Sequence, residues 1–267
     1  MTGTAGDTAT EEFVVGLCRN AGQMGLERFG ENLEVSLKGE VDLVTDVDLV
    51  LDRLIRSTIS GKFPEHSVMS EEEWREGTPT PAGYVWLVDP LDGTTNYVHG
   101  YPAFCVSVAL VRANEILTGC IYDPLREELF YAEKGSGATL NGRAISVSAI
   151  DELISSLLST GFPYERASLP ENNVSHLGRV LNHIQGVRRS GSLALDLAYV
   201  ACGRLDGHWE LYVKPWDTAA GGLLITEAGG RISRMGGEPW TPFETDIVAT
   251  NGRIHDQLLA ALREDRE

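Results

Sequence analysis

The sequence predicts an α/β protein of layered mixed sheets flanked by helices, and three observations carry that expectation. Apolar residues recur at helical spacing in the two segments before Pro64. They give way to short β-branched and aromatic runs between Tyr84 and Ala132, and beyond Ile150 the two periods alternate irregularly. From Glu11 to Phe29, Phe13, Leu17, Ala21 and Met24 fall on one helical face, and Gly30 is placed to cap the C-terminal end. A second helix is expected from Thr45, turning Val47, Leu51, Leu54 and Ile55 inward until Gly61 and Pro64 stop it. The runs Tyr84 to Val88, Phe104 to Leu110, Ile116 to Tyr122 and Glu128 to Ala132 read as strands of one sheet, and Asn141-Gly142 signals a type I′ hairpin. The second half predicts a strand near Leu157, a helix from about Pro170 to Gln185, a helix from Ser192 to Ala201 and a strand from Trp209 to Val213. Asp217 then opens a helix that Gly229-Gly230 end, and a strand at Ile247 to Ala249 precedes a last helix from about Ile254.

Of the 267 residues, 22 are Lys or Arg and 39 are Asp or Glu, a formal net charge of -17. Such an excess of carboxylates repels a phosphate backbone, so nucleic acid is not expected as the main partner. The 42% share of hydrophobic residues belongs to a globular chain with a sizeable core. There is no run of about eighteen apolar residues, and the first residues have neither basic nor apolar leader character. No membrane association and a cytoplasmic location are therefore expected. Cys18, Cys105, Cys120 and Cys202 are scattered among apolar neighbours without a CxxC pair, which fits buried free thiols in a reducing compartment. A seam near residue 148 divides two lobes without any linker-like stretch.

The chemistry concentrates in Asp89 to Asn96, DPLDGTTN, directly after the apolar run Tyr84 to Val88. Pro90 and Gly93 are expected to turn the chain at the strand's end, so that the carboxylates of Asp89 and Asp92 converge. Two acids in one small volume raise each other's pKa unless a proton or cation intervenes. Mg²⁺ resolves this, because it takes hard oxygen ligands and retains positions for a phosphate substrate. Gly93-Thr94-Thr95 adds unencumbered backbone amides and two hydroxyls, suited to an anion at a helix N-terminus. Three further acidic spots are ambiguous alone. Thr45 and Asp48 have capping-box spacing, with capping the default role for Asp48. Glu71, Glu72 and Glu73 read as a solvated loop, unless the apolar strand before them turns one inward. Asp217 serves equally as a helix N-cap.

Taken in order, VDLVTDVD (41–48), SEE (70–72), DPLDGTTNYVHG (89–100), RRSGSLALDLAYVACGRLDGHWE (188–210) and WDTAAGGLLITEAGG (216–230) resemble the inositol monophosphatase family. The resemblance runs from about Phe13 to Leu262. It implies an αβαβα sandwich forming a single catalytic unit over residues 1–267. An N-terminal lobe, 12–148, would carry most metal ligands, and a C-terminal lobe, 149–267, the substrate contacts and the last ligand. It also implies a Mg²⁺-dependent, lithium-sensitive homodimer with two or three ions per site. Residue by residue, Glu71, Asp89 and the Leu91 carbonyl would hold the first metal. Asp89, Asp92 and Asp217 would hold the second. Asp48 and Thr94 would polarise the attacking water, with Glu71 and the mobile-loop Lys38 also catalytic. Gly93, Thr94 and Thr95 would bind phosphate. Asp92, Gly191, Ser192, Glu210 and Asp217 would face the substrate hydroxyls. Leu193 stands where some members carry Ala and would narrow the alcohol pocket.

The activity implied is hydrolysis of a small sugar or polyol phosphate, inositol-1-phosphate first, by metal-activated water. Thr95-Asn96-Tyr97 after Gly93-Thr94 resembles inositol-phosphate and some fructose-1,6-bisphosphate phosphatases, which makes the bisphosphate the runner-up and histidinol phosphate a further alternative. Asp46-Val47-Asp48-Leu49-Val50 satisfies the DxDx[TV] pattern of haloacid-dehalogenase phosphatases, in which Asp46 would be a nucleophile. That class also needs a later Lys and acidic pair, which have no sensible spacing here. From a different class comes a transcription-accessory binding protein, supported by kinship to bacterial relatives alone.

Overall fold

The computed structural model describes residues 5–31, 34–37, 43–75, 77, 79–164, 168–169 and 171–263, with side chains from residue 11 onward. The chain opens with α1 (Ala5–Glu27), the short strands β1 (Val35–Leu37) and β2 (Leu43–Thr45), and α2 (Asp46–Lys62). Strands β3 (Ser67–Ser70) and β4 (Tyr84–Asp92) flank the acidic turn, and α3 (Thr94–Val98) follows. A meander continues through β5 (Cys105–Arg112), β6 (Glu115–Asp123), β7 (Glu128–Glu133), β8 (Gly137–Leu140) and β9 (Arg143–Ala144). Then come β10 (Leu157–Thr160), α4 (Asn173–Val180), β11 (Gly186–Arg188) and α5 (Leu193–Ala201). The chain finishes with β12 (Gly207–Leu211), α6 (Pro215–Glu227), β13 (Arg231–Ser233), β14 (Asp246–Thr250) and α7 (His255–Arg263).

These elements form the αβαβα sandwich. Strands β3 to β9 make a seven-stranded sheet in sequence order, antiparallel except where β3 runs parallel to β4. A mixed five-stranded sheet has the order β11-β10-β12-β14-β13. Side chains alternate across each strand, so one strand feeds two cores. Trp86, Val88, Val106 and Val108 pack beneath Val14, Leu17, Leu51 and Ile55 of α1 and α2. From the same strands Leu87, Ala109 and Phe130 face α5 and α6, whose other side meets Ile247 and Ala249 of the second sheet. Val248 and Trp209 point outward to α7, burying Leu258, Leu259 and Leu262.

The middle layer is close-packed because small residues line its contacts. Ala109, Gly119, Ala132 and Ala138 are cross-strand partners, and they form a trough across β5 to β8. Helix α6 lies in it so tightly that a Cβ on Gly119 would sit 2.8 Å from the Ala220 Cα. On its other flanks α6 presents Gly221 to Leu197 of α5 and Gly222 to the Trp240 ring, each at a distance a Cβ would violate.

The observed elements depart from the sequence expectation in instructive places. The first helix stops at Glu27, two residues early, in a turn through Gly30 at φ +85. The helix expected over 170–185 is shorter, because Asn172 caps it through Val174 N and Gly186 is already in β11. The strand expected over 209–213 is β12, displaced two residues toward the N-terminus. Asp217 is the third residue of α6, not its cap, with Pro215 opening the helix. Asn141 and Gly142 both have positive φ, as a type I′ turn requires. All four cysteines are free. No helix among the described residues is long and apolar enough to cross a membrane.

Candidate active site

The carboxylates meet through a β-bulge. Asp89 pairs with Ser107 and Asp92 with Cys105, so three steps on β4 oppose two on β5. The extra residue restores the parity that a three-residue spacing would break, and both acids face the α5/α6 side. The turn expected at the strand's end is thus a bulge inside β4. Leu91 packs its side chain in the opposite core, beneath α1 and α2. Strand β3 contributes the third acid: its parallel register sets Ser70 beside Val88, and Glu71 N continues the ladder to Val88 O at 3.1 Å. Glu71 therefore stands next to Asp89. Helix α6 delivers Asp217, whose Oδ2 accepts from Lys214 N at 2.9 Å.

Burial first, and then the neighbouring charges of Glu71, Asp92 and Asp217, push Asp89 well above the ordinary carboxylate range. Asp217 is raised in the same way, by burial and then by Glu71 and Asp92. Asp92 is pushed up by burial to about 6, even though three donors oppose the shift. Those donors include Ser192 Oγ at 2.6 Å and Ala194 N at 2.8 Å, both at the start of α5 and both on Oδ2. Among the described residues no three acidic, His or Cys side chains close around one point as a formed metal centre. The donor set nevertheless fits a hard divalent cation: four oxygen-bearing acids, mutually repelling, three of them held above their normal pKa.

Beside the acids, Gly93 caps α3 at φ +102, where a Cβ would strike Ala103 O at 2.8 Å. Only glycine takes this conformation against the Ala103 carbonyl, and it starts α3 at the cleft. Thr94 Oγ1 donates to Asp48 Oδ1 at 2.9 Å and also lies 3.1 Å from Leu91 O. Asp48 Oδ2 accepts from Thr45 N at 2.8 Å and Thr45 Oγ1 at 2.5 Å, completing the capping box of α2. Capping and site-building are therefore one role for Asp48, whose burial raises its pKa. Asn96 Nδ2 bonds Ala103 O and Ser190 O, which ties α3 to the loop before α5. Gly191, at φ +86, leaves room for that amide.

Glu71, Asp89, Leu91, Asp92, Gly93 and Thr94 line one cleft of about 830 Å³ with Gly191, Ser192, Glu210 and Asp217. Asp48 lies behind Thr94. Thr95 occupies the next position on α3 and does not line the cleft; of the hydroxyls expected there, only that of Thr94 faces it. Lys38 is outside the described residues. Leu193 is on the cleft wall, as expected. Glu72 also lines it, while Glu73 points to Arg56 Nη1 at 2.7 Å. Asp46 is paired with Arg28 Nη1 at 2.6 Å and does not line the cleft, which removes it as a nucleophile.

Sequence reasoning missed several residues of the cleft. Asp196 is buried in its wall and is raised by burial to about 7. Its spacing after Ser192, one turn into an apolar helix, was the available signal. Tyr212 sits on the rim at φ +62, a left-handed conformation that no local pattern announces.

Comparisons with known proteins identify the family of the chain. The model of the inositol monophosphatase family matches residues 8–267. An inositol-1-monophosphatase of Synechocystis is 43% identical over 235 residues, 88% of this chain and 82% of the relative. The Nus factor SuhB of Escherichia coli is 41% identical over 234 residues, 87% of each chain. The structure of inositol monophosphatase from Anabaena superposes with a TM-score of 0.86 at 41% identity, covering 96% of this chain and 95% of that one. With the family model spanning nearly the whole chain and these relatives matching most of it, the protein belongs to the inositol monophosphatase family.

Proposed function

We propose that this chain is a Mg²⁺-dependent phosphomonoesterase that hydrolyses a small sugar or polyol phosphate, with inositol-1-phosphate the first candidate. The observation carrying the proposal is the convergence of Glu71, Asp89, Asp92 and Asp217 on a cleft that Thr94 also lines, with Asp48 hydrogen-bonded behind it. Glu71, Asp89 and the Leu91 carbonyl would hold one ion, and Asp89, Asp92 and Asp217 a second. Bound there, the metal would supply an acidified water and neutralise the charge of the transferring phosphoryl group.

The chain's own residues supply the rest. Thr94 directs its hydroxyl proton to Asp48 Oδ1 and so offers its lone pairs to a water in the cleft. A proton released by that water passes to Thr94 while the Thr94 proton moves to Asp48. Burial makes Asp48 a better base for this than a surface carboxylate. The amides at Gly93 and Thr94 orient the phosphate oxygens, with the Thr95 amide one position further along the same turn. Glu210, Gly191 and Ser192 meet the alcohol, and Leu193 limits its bulk.

A panel of inositol-1-phosphate, fructose-1,6-bisphosphate and histidinol phosphate tests the substrate. Inositol-1-phosphate should give the highest kcat/KM, and a clear preference for either other ester overturns that assignment. Asp89→Asn should abolish Mg²⁺-dependent turnover, whereas a near-normal rate would take Asp89 out of the mechanism.

The Nus factor designation of the Escherichia coli relative favours a second reading, a transcription-associated role. The charge of -17 directs such a role to a protein partner over nucleic acid. Stoichiometric retention of transcription factors by the immobilised full chain, with no hydrolysis of any ester in the panel, would support it over the phosphatase.

A further inference from the structure

Below the rim of the cleft lies a buried polar group that the metal chemistry does not use. His208 is fully buried at the second position of β12. Side chains two apart on a strand share a face, so His208 and Glu210 both point toward α5, while Trp209 packs into the opposite core. The parallel pairing of β10 and β12 sets Ser159 directly beside His208. The imidazole accordingly meets three groups: Ser159 Oγ at 2.9 Å from Nδ1, Asp196 Oδ2 at 3.9 Å from Nδ1, and Glu210 Oε2 at 3.2 Å from Nε2. The last approach is close but not aligned as a hydrogen bond, so Nε2 is a buried nitrogen whose neighbour is the Glu210 carboxylate. Ser159 donating to Nδ1, with the ring proton on Nε2, is the assignment that serves both nitrogens.

Glu210 is confined from the other side as well. A Cβ on Gly161 would fall 2.2 Å from Glu210 Oε1 and 2.3 Å from Oε2, so the carboxylate lies flat against that glycine. Histidine on one side and bare backbone on the other flank it at the wall of the cleft.

We infer that His208 is a positioning residue for substrate selection: through Nε2 it aims the Glu210 carboxylate at a hydroxyl of the substrate's alcohol moiety, with Ser159 fixing the ring and Gly161 closing the far side. The inference rests on the polyol-phosphatase reading and deepens it. Its substrate class is a phosphate ester whose alcohol carries a hydroxyl within reach of Glu210. Two features separate this role from mere packing. An apolar residue would satisfy packing at a fully buried strand position, and the buried Nε2 would cost stability without returning any if it oriented nothing. A carboxylate that must accept from a substrate gains most from being held in one rotamer beforehand.

The test compares inositol-1-phosphate with p-nitrophenyl phosphate, whose leaving group offers Glu210 no hydroxyl, in saturating Mg²⁺. His208→Phe should lower the ratio of kcat/KM for the polyol ester over the aryl ester about tenfold, mainly through KM for inositol-1-phosphate. His208→Gln, which returns an N–H near the Nε2 position, should recover most of the ratio. Combining His208→Phe with Glu210→Gln should cost no more than Glu210→Gln alone. If His208→Phe does not fold, Ser159→Ala should lower the same ratio about threefold by loosening the ring. A folded His208→Phe protein with a normal ratio, an equal loss on both esters, or additive losses in the double variant would overturn the inference while leaving the polyol reading intact. A wild-type protein that hydrolyses p-nitrophenyl phosphate but no polyol phosphate would instead overturn both.

Discussion

Replacing Gly119 by Ala adds one methyl group where sheet and helix backbones meet in the middle layer, and the distances fix its effect. The new Cβ would stand 2.8 Å from Ala220 Cα, 3.0 Å from Ala220 O and 3.3 Å from Ala220 C. Non-bonded carbons settle at roughly 3.5–4.0 Å, so sheet and helix must part by about 1 Å. The atoms struck are backbone, which no rotamer change can move aside. Helix α6 is also wedged by Gly221 against Leu197 and by Gly222 against Trp240, so it cannot withdraw without opening those contacts. Overpacking costs about 1–3 kcal/mol, and the absence of a soft neighbour puts this case at about 2–3 kcal/mol. For a chain of this size that lowers Tm by roughly 5–10 °C. Because α6 carries Asp217, its displacement should also weaken the apparent Mg²⁺ affinity, by about tenfold. Calorimetry and a Mg²⁺ titration of activity read the two effects. Gly16→Ala is the control: it lies on the exposed face of α1 with open space around it and should stabilise by about 0.5–1 kcal/mol. A Gly119→Ala protein with an unchanged Tm and Mg²⁺ requirement would refute the claim that this trough sets the position of Asp217.

Three further outcomes follow from the site. Thr94→Val keeps the shape but removes the proton donor, and it should lower kcat about 10²-fold and destabilise by about 1–3 kcal/mol, since Asp48 Oδ1 loses its partner; a loss of kcat below threefold, at any stability, would contradict the Thr94–Asp48 path. Metal-free protein should become more stable as the pH falls from about 8 to about 6. Asp89 and Asp217 are held well above the carboxylate range, Asp196 is held at about 7 and Asp92 at about 6, so the folded state there binds more protons than the unfolded one. Below that window the gain is opposed by His255, held by burial at about 4, whose contribution is lost as the pH falls from its normal value toward 4. Mg²⁺ at about pH 8 should raise the melting temperature, and a metal-free Tm that drops between about pH 8 and 6 would contradict the scheme. Finally, Tyr212→Gly should raise stability by about 1 kcal/mol by relieving the left-handed backbone, and thermal denaturation showing a loss of that size would mean the Tyr212 ring contributes more than its strain costs.

Much of the fold was legible in the sequence because long elements carry their own periodicity. The runs that became β4 to β7 and the stripe through Leu51 and Ile55 needed no tertiary information. What escaped was short or set by distant partners. β1, β11 and β13 have three residues each, too few for an alternation to register. The end of β12 was misread because the apolar run extends to Val213, whereas the backbone turns at Tyr212. In the site, Asp89 and Asp92 were recognisable from spacing, but the bulge that brings them to one face depends on β5. Asp48 looked like a simple cap because its second partner, Thr94, lies 46 residues away. His208 gave no signal at all, since its meaning comes from Ser159 on a neighbouring strand and Asp196 on the helix above.

The grip of Ser192 and Ala194 on Asp92 sets an order of assembly. The two donors follow the acid by 100 and 102 residues, and Asp217 arrives later still. While the chain emerges from the ribosome, Glu71, Asp89 and Asp92 are complete long before the residues that restrain and share their charge. Closing such distant contacts is slow relative to forming the local meander. The growing N-terminal sheet therefore carries its acidic cluster unrestrained while the next 100 residues are made, and the four acids share one cleft only once α6 docks.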